Sequence, residues 1–233
     1  ESLKLTLADR EAYLGDPDFV DVPLAALTST AYGAERARPI DPAHASPGMP
    51  MPGRVEGVEP YLSPVVVRTE PERLPGDTSI VTFIDRHGNA FCATPSDTSW
   101  DTPVVPGTGL AVSSRGQQSW AVRDHPSCLA PGKRPRLTPN PCFAEVPGKW
   151  IMPFGTPGGD QQVQANVQVL LSHLAFGLPL QDAIEAPRLI THSHPDSFVP
   201  HAASPGRLTI EGRVAESVTA ALAERGHQVE RLP

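Results

Sequence analysis

Proline is the residue type that most constrains how this chain can fold. The 233 residues include 28 prolines, where an average protein of this length has about 12. Many of them lie in the segment 39–75, which reads PIDPAHASPGMPMPGRVEGVEPYLSPVVVRTEPERLP. Because proline fixes φ and lacks a backbone N–H, this segment can form neither a regular helix nor a central strand. We therefore expect a head over residues 1 to about 38, a long extended linker, and a body that begins near residue 78.

Composition and charge exclude two classes of partner. Hydrophobic residues make up 39% of the chain and charged residues 19%, which is enough for one substantial core or two small ones. The formal net charge of -7 argues against a nucleic-acid or anionic-membrane partner. No apolar run reaches the length of a membrane span, and residues 1–20 lack the pattern of a signal peptide. We expect neither a nucleic acid nor a membrane as partner.

The cysteines point to a reducing compartment. The three of them, Cys92, Cys128 and Cys142, are odd in number and widely scattered. Such a set is a poor disulfide framework and has no zinc-type spacing. We therefore expect a cytoplasmic location.

The head begins with a helical pattern. Leu3, Leu7 and Leu14 recur at near-helical spacing, and Gly15 and Pro17 then stop the helix. A helix of this kind has an apolar face that needs a partner, and no second element nearby in the sequence could cover it. We therefore expect this chain to be the later part of something larger, or to pair with another chain.

The body alternates between strand and helix patterns. The stretches SIVTFID and AFCAT flank a short RHGN turn and predict a β-hairpin. TGLAVSS and KWIMPFG predict two further strands, and LQDAIEAP and RVAESVTAALAERGH predict helices, the second closed by Gly226. Strands interleaved with helices imply a layered α/β protein.

The strongest helical pattern is GGDQQVQANVQVLLSHLAFG. We predict that Asp160 caps its N-terminus and that Gly177 ends it. Its apolar residues share one helical face; they are Val163, Val167, Leu170, Leu171 and Leu174.

Two local features could carry chemistry, although G-x-S-x-G, P-loop and H-E-x-x-H motifs are absent from the sequence. The first is Thr78, at the head of the first strand of the body. A Thr in that position is usually structural. If the peptide bond before it is cut, however, its hydroxyl becomes a nucleophile and its new α-amine becomes the base. The exposed linker before Thr78 is the kind of segment in which a break is tolerated.

The second feature is FGTPGGD, where a strand runs through Gly158 and Gly159 into a helix. Glycines there let backbone N–H groups converge beside the positive end of the helix dipole, which suits an oxyanion or a phosphate. The structural alternative is an ordinary tight turn.

Several ordered motifs resemble the γ-glutamyltranspeptidases, a family of N-terminal-nucleophile hydrolases. They are ADREAYLGDPDFVDVP, GDTSIVTFIDRHGNAF, APGKRPRLTPNP, FGTPGGDQQVQANVQVLL, FGLPLQDAIEAPR and RGHQV, and they follow in the family's order almost end to end. The resemblance implies a four-layer αββα sandwich. Residues 1–77 then correspond to the end of the large subunit plus the Pro-rich linker, and residues 78–233 to the small catalytic subunit. The rest of the large subunit is expected as a partner, in cis or as a separate chain.

The resemblance also implies a mechanism. Members of the family are precursors that cut themselves before a Thr, which corresponds here to Thr78. That Thr attacks an amide carbonyl, and water or an amine then takes the acyl group. The family's oxyanion hole corresponds to Gly158 and Gly159. Its second Thr, which hydrogen-bonds the nucleophile, falls at Ser96 by spacing along AFCATPSDTSW.

The positions that correspond to the family's substrate-binding residues depart from its pattern. A family Asn falls at Thr98. The family acid that holds the substrate α-amine corresponds to Gln118. Arg115 stands where the family often has Gln. A neutral Gln cannot supply the charge that a buried ammonium needs, so we expect a small amide substrate in preference to a true γ-glutamyl donor. Arg115 could hold a carboxylate or oxamate-like group, or be an ordinary solvated arginine.

The family's Ser-Ser pair, which binds the substrate α-carboxylate, falls at Leu137 and Thr138, so only Thr138 keeps a hydroxyl. The VVPGTG and FGTPGGD variants resemble a side branch of transpeptidase-like proteins that includes amidohydrolases of small amides.

The THSHPD stretch superficially offers metal ligands in His192, His194 and Asp196. The family has a similar His-rich stretch and no metal there, so we expect no metal and no cofactor.

The resemblance leaves two functions open. The first is an amide hydrolase or acyltransferase that acts on a small amide or γ-glutamyl-like substrate. The alternative is an unprocessed or catalytically silent member that serves as a binding or assembly subunit.

Overall fold

The computed structural model describes residues 1–69, 78–97 and 102–233. The chain divides into two compact units that alternate along the sequence. Unit 1 comprises Glu1–Pro71, Gln117–Arg136 and Leu189–Pro233, and unit 2 comprises Glu72–Gly116 and Leu137–Arg188. The predicted division into residues 1–77 and 78–233 refers to a cleavage point and stays a prediction.

The described residues form a mixed α/β structure. Its helices are α1 (Ser2–Tyr13), α2 (Leu24–Leu27), α3 (Thr30–Ala37), α4 (Gln161–Leu174), α5 (Leu180–Glu185) and α6 (Glu216–Glu224), with a 3₁₀ helix at Ser114–Gln118. Its strands are β1 (Val66–Val67), β2 (Val81–Ile84), β3 (Ala90–Ala93), β4 (Cys142–Val146), β5 (Trp150–Phe154), β6 (Leu189–Thr191), β7 (Ala202–Ala203), β8 (Arg207–Glu211) and β9 (Gln228–Leu232).

Helix α1 is confirmed, but the expectation that no nearby element could cover it is wrong. Glu11, on this helix, is buried between Arg136, at 2.7 Å, and His125, at 2.9 Å. The Tyr13 hydroxyl donates to the carbonyl of Gly53 in the Pro-rich segment at 2.6 Å.

Arg36, on α3, donates to the Asp9 carboxylate and to the Leu5 carbonyl of α1 at 3.0 and 3.1 Å. The cover therefore comes from this nearby helix, from the linker and from residues more than 100 positions away.

The Pro-rich segment behaves as its composition predicts. Between residues 39 and 69 its described part contains no helix, and its one strand, β1, is two residues long. Strand β1 pairs in parallel with β7, Val66 opposite Ala202. Residues 70–75 of the segment lie outside the described residues.

The remainder of unit 1 is a three-stranded sheet with a helix before its last strand. Strand β8 pairs antiparallel with β6 and parallel with β9. Leu208 and Ile210 are buried in β8. Helix α6 ends as predicted before Gly226, whose φ of 103° suits a residue without a Cβ.

Unit 2 contains the predicted β-hairpin. Strands β2 and β3 pair antiparallel, with Val81 opposite Ala93 and Ile84 opposite Ala90. The turn between them is closed by the Asp85 carboxylate, which accepts hydrogen bonds from the backbone N–H groups of His87 and Asn89. The hairpin predicted around RHGN is therefore confirmed.

The strand predicted at TGLAVSS is absent from the described structure of that stretch. Residues 108–114 instead run through an irregular loop, with one isolated bridge between Val104 and Ala111, into the 3₁₀ helix. Gly107 and Gly109 have φ values of 76° and 69°, which interrupt an extended backbone.

Helix α4 follows the antiparallel pair β4–β5 and is confirmed, but its buried side is polar. Gln162 and Asn166 are buried, and both hydrogen-bond Asn140, just before β4. Leu171 and Leu174 are nearly half exposed. The side chain of Asp160 makes no capping hydrogen bond, so that prediction is wrong: Asp160 is already αR and belongs to the turn.

No helix among the described residues has both the length and the apolar character that crossing a bilayer requires.

Candidate active site

The register of the β2–β3 hairpin brings two hydroxyl groups together. Continuing the antiparallel register past Val81 and Ala93 sets Ser79 opposite Pro95, and the N–H of Ser79 donates to the carbonyl of Pro95 at 2.9 Å. The next opposed pair is Thr78 and Ser96. Their hydroxyl oxygens lie 2.5 Å apart, so one donates a short hydrogen bond to the other.

Arg115 completes a hydrogen-bonded chain to this pair. Its Nη2 donates to the Oγ of Ser96 at 2.7 Å. Ser96 and Arg115 are each only 7% exposed. The guanidinium is always charged and can only donate, so the Ser96 oxygen accepts from it. A buried positive charge thus lies two hydrogen bonds away from the hydroxyl of Thr78.

Asp97 anchors the segment that carries Arg115. Its Oδ1 accepts from the N–H and from the Oγ of Ser114, at 3.0 and 2.9 Å. Hydrogen bonds from Ser113 and Ser114 lower the pKa of the Asp97 carboxyl, and the nearby guanidinium charge lowers it further. Since Asp97 follows Ser96 directly, this contact fixes the loop and the hairpin end together.

The two glycines form the turn that starts α4. Gly158 and Gly159 have φ values of 122° and 55°, a region that residues with a Cβ rarely adopt. Their carbonyls accept from the N–H groups of Gln161 and Gln162, the first two residues of the helix. The turn therefore lies at the positive end of the α4 dipole, as the sequence predicts.

The chain after β5 approaches the residues before β2 closely ahead of this turn. A Cβ built on Gly155, which directly follows β5, would come within 2.5 Å of the Cδ1 of Ile80. Ile80 is two residues after Thr78. A side chain at position 155 would therefore require the Ile80 side chain to shift.

The other predicted binding residues lie at separate places in the chain. Thr138 is buried in unit 2 at 7% exposure, whereas its neighbour Leu137 is 48% exposed. Gln118 ends the 3₁₀ helix and belongs to unit 1, where it is 1% exposed. Thr98 lies outside the described residues.

The THSHPD side chains go to separate neighbours. His192 lies 3.1 Å from the hydroxyl of Thr209, and Asp196 forms an ion pair with Arg68 at 2.6 Å. The Nδ1 of His194 lies 3.0 Å from the carbonyl of Pro195. Within the described ranges, no group of three or more His, Cys, Asp or Glu side chains is arranged to hold a metal ion.

Sequence reasoning missed Asp97 and Ser114. The only available signal was adjacency, because Asp97 follows the predicted Ser96 and Ser114 precedes the predicted Arg115. It also missed that Arg115 bonds Ser96, which depends on how the loop 102–116 folds back onto the hairpin.

Comparison with known proteins gives a consistent result. The family model described as Gamma-glutamyltranspeptidase matches residues 1–233. The oxamate amidohydrolase proenzyme of Klebsiella pneumoniae is 31% identical and covers 100% of this chain and 39% of that protein. The glutathione hydrolase proenzyme of Pseudomonas aeruginosa is 32% identical, over 93% of this chain and 37% of that protein.

Among solved structures, that of LmbA2991HD has a TM-score of 0.86 and 38% identity, and the match covers 99% of this chain and 41% of that one. The chain spans about a third of the length of the first curated relatives it matches, 34% and 33%.

Proposed function

Because this chain belongs to the γ-glutamyltranspeptidase family, we propose that it is the part of an amide hydrolase or acyltransferase that carries the nucleophile, and that the nucleophile is the hydroxyl of Thr78. The observation that carries this proposal is the 2.5 Å contact between the oxygens of Thr78 and Ser96, at the head of β2. A hydroxyl held this closely by a second hydroxyl, beside a buried guanidinium, is oriented and polarised for attack.

The first reaction is self-cleavage. The Oγ1 of Thr78 attacks the carbonyl carbon of Asp77, a C–O bond forms, and the C–N bond of the peptide breaks. The former amide nitrogen takes up a proton and becomes the α-amine of Thr78. Water then hydrolyses the ester, which frees the hydroxyl. Names of relatives that include "proenzyme" support this step.

The second reaction uses the new N-terminus on an amide substrate. The Thr78 hydroxyl attacks the substrate carbonyl while the α-amine accepts its proton. The proton passes to the leaving amine as the C–N bond breaks, which leaves an acyl ester on Thr78. Water completes hydrolysis, and an acceptor amine in its place completes acyl transfer.

The oxyanion that forms in both attacks needs hydrogen-bond donors. We assign this role to the backbone N–H groups of Gly158 and Gly159. Their positive φ values and their position before α4 support the assignment, because a helix N-terminus favours negative charge and its N–H groups need no reorganisation.

The substrate we propose is a small amide that carries a carboxylate and lacks an α-amine. The charge of Arg115 beside the nucleophile favours an anionic substrate. The family acid that would hold an α-amine is Gln118 here. The 31% identity to an oxamate amidohydrolase proenzyme over the whole chain supports the same class.

The complete protein, in this proposal, has the four-layer αββα sandwich of the N-terminal-nucleophile hydrolases. A large-subunit portion supplies the layers and substrate contacts that lie beyond this chain. The relatives, nearly three times as long as the part they share with it, support that view.

Intact-mass spectrometry of the full-length protein tests the proposal. We expect two fragments, one ending at Asp77 and one beginning at Thr78, together with ammonia release from oxamate. A single uncut chain after long incubation would contradict the nucleophile assignment and favour a silent member that serves as a binding subunit.

A further inference from the structure

An N-terminal threonine has a problem of charge. Its α-amine must be the free base to accept a proton, but an ordinary α-amine has a pKa of about 7.7–8.0. At neutral pH most of it is therefore ammonium and cannot act. Something near the amine has to disfavour its charged form.

We propose that Arg115 is the residue that tunes this nucleophile: held on Ser96, its charge keeps the α-amine of cleaved Thr78 in the free-base form. The inference rests on the proposed function, since it requires that Thr78 becomes an N-terminus. Arg115 acts through charge and through Ser96, so it is a positioning residue.

The geometry brings the charge to the amine. Arg115 donates to Ser96 at 2.7 Å, and Ser96 lies 2.5 Å from the Oγ1 of Thr78. The α-amine is joined to the same side chain through the Cα–Cβ bond, so it lies next to that oxygen. Both linking residues are 7% exposed, and a positive charge in such a site acts on a neighbouring ammonium with little screening by water.

The same contact orients the Ser96 proton. Because the guanidinium only donates, the Ser96 oxygen accepts from it, which leaves the Ser96 hydrogen able to point towards the Oγ1 of Thr78. Bonds in such a chain polarise one another. The arrangement stabilises negative charge as it develops on the Thr78 oxygen, including in the uncut chain, where no α-amine exists.

The opposing charge at this end of the hairpin is Asp97. Among the described residues whose contacts define the site, Arg115 and Asp97 are the charged ones. Asp97 is exposed, whereas Arg115 is buried. Water screens the carboxylate more strongly than the guanidinium.

A matched variant is available. The family often has Gln at this position, so Arg115→Gln removes the charge with a side chain that the fold accepts. Arg115→Lys keeps the charge and changes the geometry of donation.

The test measures the pKa of the Thr78 α-amine directly in the self-cleaved full-length protein. Competitive labelling with acetic anhydride over a pH series, read by mass spectrometry of the peptide that begins at Thr78, reports that pKa without any substrate. We expect Arg115→Gln to raise it by about one unit and Arg115→Lys to leave it nearly unchanged. In the pH–rate profile of oxamate hydrolysis, the rise in rate on the acid side should move to higher pH by the same amount in Arg115→Gln.

The outcomes separate this inference from the proposed function. Wild-type protein that is never cut contradicts the proposed function itself. Wild-type protein that is cut and active, with an unchanged amine pKa in Arg115→Gln, overturns the role of Arg115 alone.

If Arg115→Gln does not fold or stays uncut, it has no Thr78 α-amine to measure, and the wild-type protein decides instead. A wild-type α-amine pKa below the ordinary range of about 7.7–8.0 supports the inference, and a value within or above that range overturns it.

Discussion

At the scale of single residues, the candidate site reduces to an opposed pair of hydroxyls at the open end of a hairpin. Thr78 and Ser96 face each other because both continue the register of β2 and β3. A hairpin register holds opposed side chains within a few ångströms, so this geometry needs no support from distant parts of the chain. The charge next to the pair belongs to Arg115, which lies outside the hairpin on the 3₁₀ helix.

We predict that Thr78→Ala abolishes both self-cleavage and amide hydrolysis, because one hydroxyl performs both attacks. Thr78→Ser keeps a hydroxyl and serves as the control, with residual cleavage. Gel analysis of maturation and an ammonia-release assay measure the two reactions. An Ala variant that still matures shows that another residue attacks.

We predict that Ser96→Ala slows turnover of the mature enzyme by about 10-fold to 100-fold, since it removes a hydrogen bond to a group that becomes charged. Ser96→Thr keeps the hydroxyl and should retain most activity. The comparison is made on kcat at saturating oxamate, after thermal melts have shown that both variants fold. Equal rates for the Ala and Thr variants would mean that Ser96 has no part in the attack.

At the scale of elements, the turn between β5 and α4 carries the proposed oxyanion hole. Gly158 and Gly159 hold backbone conformations that residues with side chains rarely adopt. Their carbonyls start α4, which directs the helix dipole at the same turn. The conformation of the turn and the direction of the helix therefore depend on each other.

We predict that Gly159→Val reduces turnover by about 10²–10³-fold, the usual cost of losing one oxyanion donor. Gly177→Val is the matched control, because Gly177 also has a positive φ, 73°, but lies beyond the far end of α4 in open space. Both variants should lose stability through backbone strain, and only Gly159→Val should lose turnover out of proportion. Unchanged turnover in folded Gly159→Val places the oxyanion elsewhere.

At the scale of the whole molecule, unit 1 is held by a buried charge cluster. Burial alone would raise the pKa of Glu11. The Arg136 charge and the His125 hydrogen bond outweigh that effect and lower it to about 2. The Nδ1 of His125 accepts from the N–H of Ser127, which leaves its other ring nitrogen to donate to Glu11.

We predict that unit 1 loses stability as pH falls. The unfolded-state pKa of a Glu is about 4.3, so the contribution of Glu11 is complete above that pH and disappears as pH falls towards 2, with a size of roughly 3 kcal/mol. Urea unfolding of the full-length protein measures this contribution to the free energy of unfolding. The pH series runs from 6 to 2, about two units either side of the unfolded-state pKa of 4.3. Glu11→Gln should be less stable at pH 6, and its free energy of unfolding should change less with pH. An equal pH dependence of the free energy of unfolding in both proteins contradicts the assignment.

The preference of the complete enzyme for its substrate is also a property at this scale. We predict weak or no hydrolysis of γ-glutamyl-p-nitroanilide and better hydrolysis of oxamate, because the sequence position of the family acid is the neutral Gln118, and a desolvated ammonium without a counter-charge costs several kcal/mol. Gln118→Asp should raise γ-glutamyl turnover by about tenfold or more, whereas Gln118→Asn, which stays neutral, should not. Wild-type cleavage of γ-glutamyl-p-nitroanilide at least as fast as that of oxamate would overturn this prediction.

The sequence by itself determined the features that depend on neighbours along the chain. The β2–β3 hairpin, α1, α4, α5, α6 and the Gly158–Gly159 turn follow from periodicity and turn chemistry over fewer than 20 residues. The opposition of Thr78 and Ser96 was predictable for the same reason, since one tight turn sets the register between them. The ordered motifs predicted the family, which the match over residues 1–233 confirms.

Only the tertiary structure decided which side chains from distant segments meet. Arg136 and the linker contact α1, and Asn140 contacts the buried polar side of α4. The stretch TGLAVSS, predicted as a strand, is a loop that places Arg115 against Ser96. Local periodicity records which face of an element is apolar, but a buried polar face is stable once distant groups satisfy its hydrogen bonds. Those partners lie tens of residues away, so no local pattern contains them.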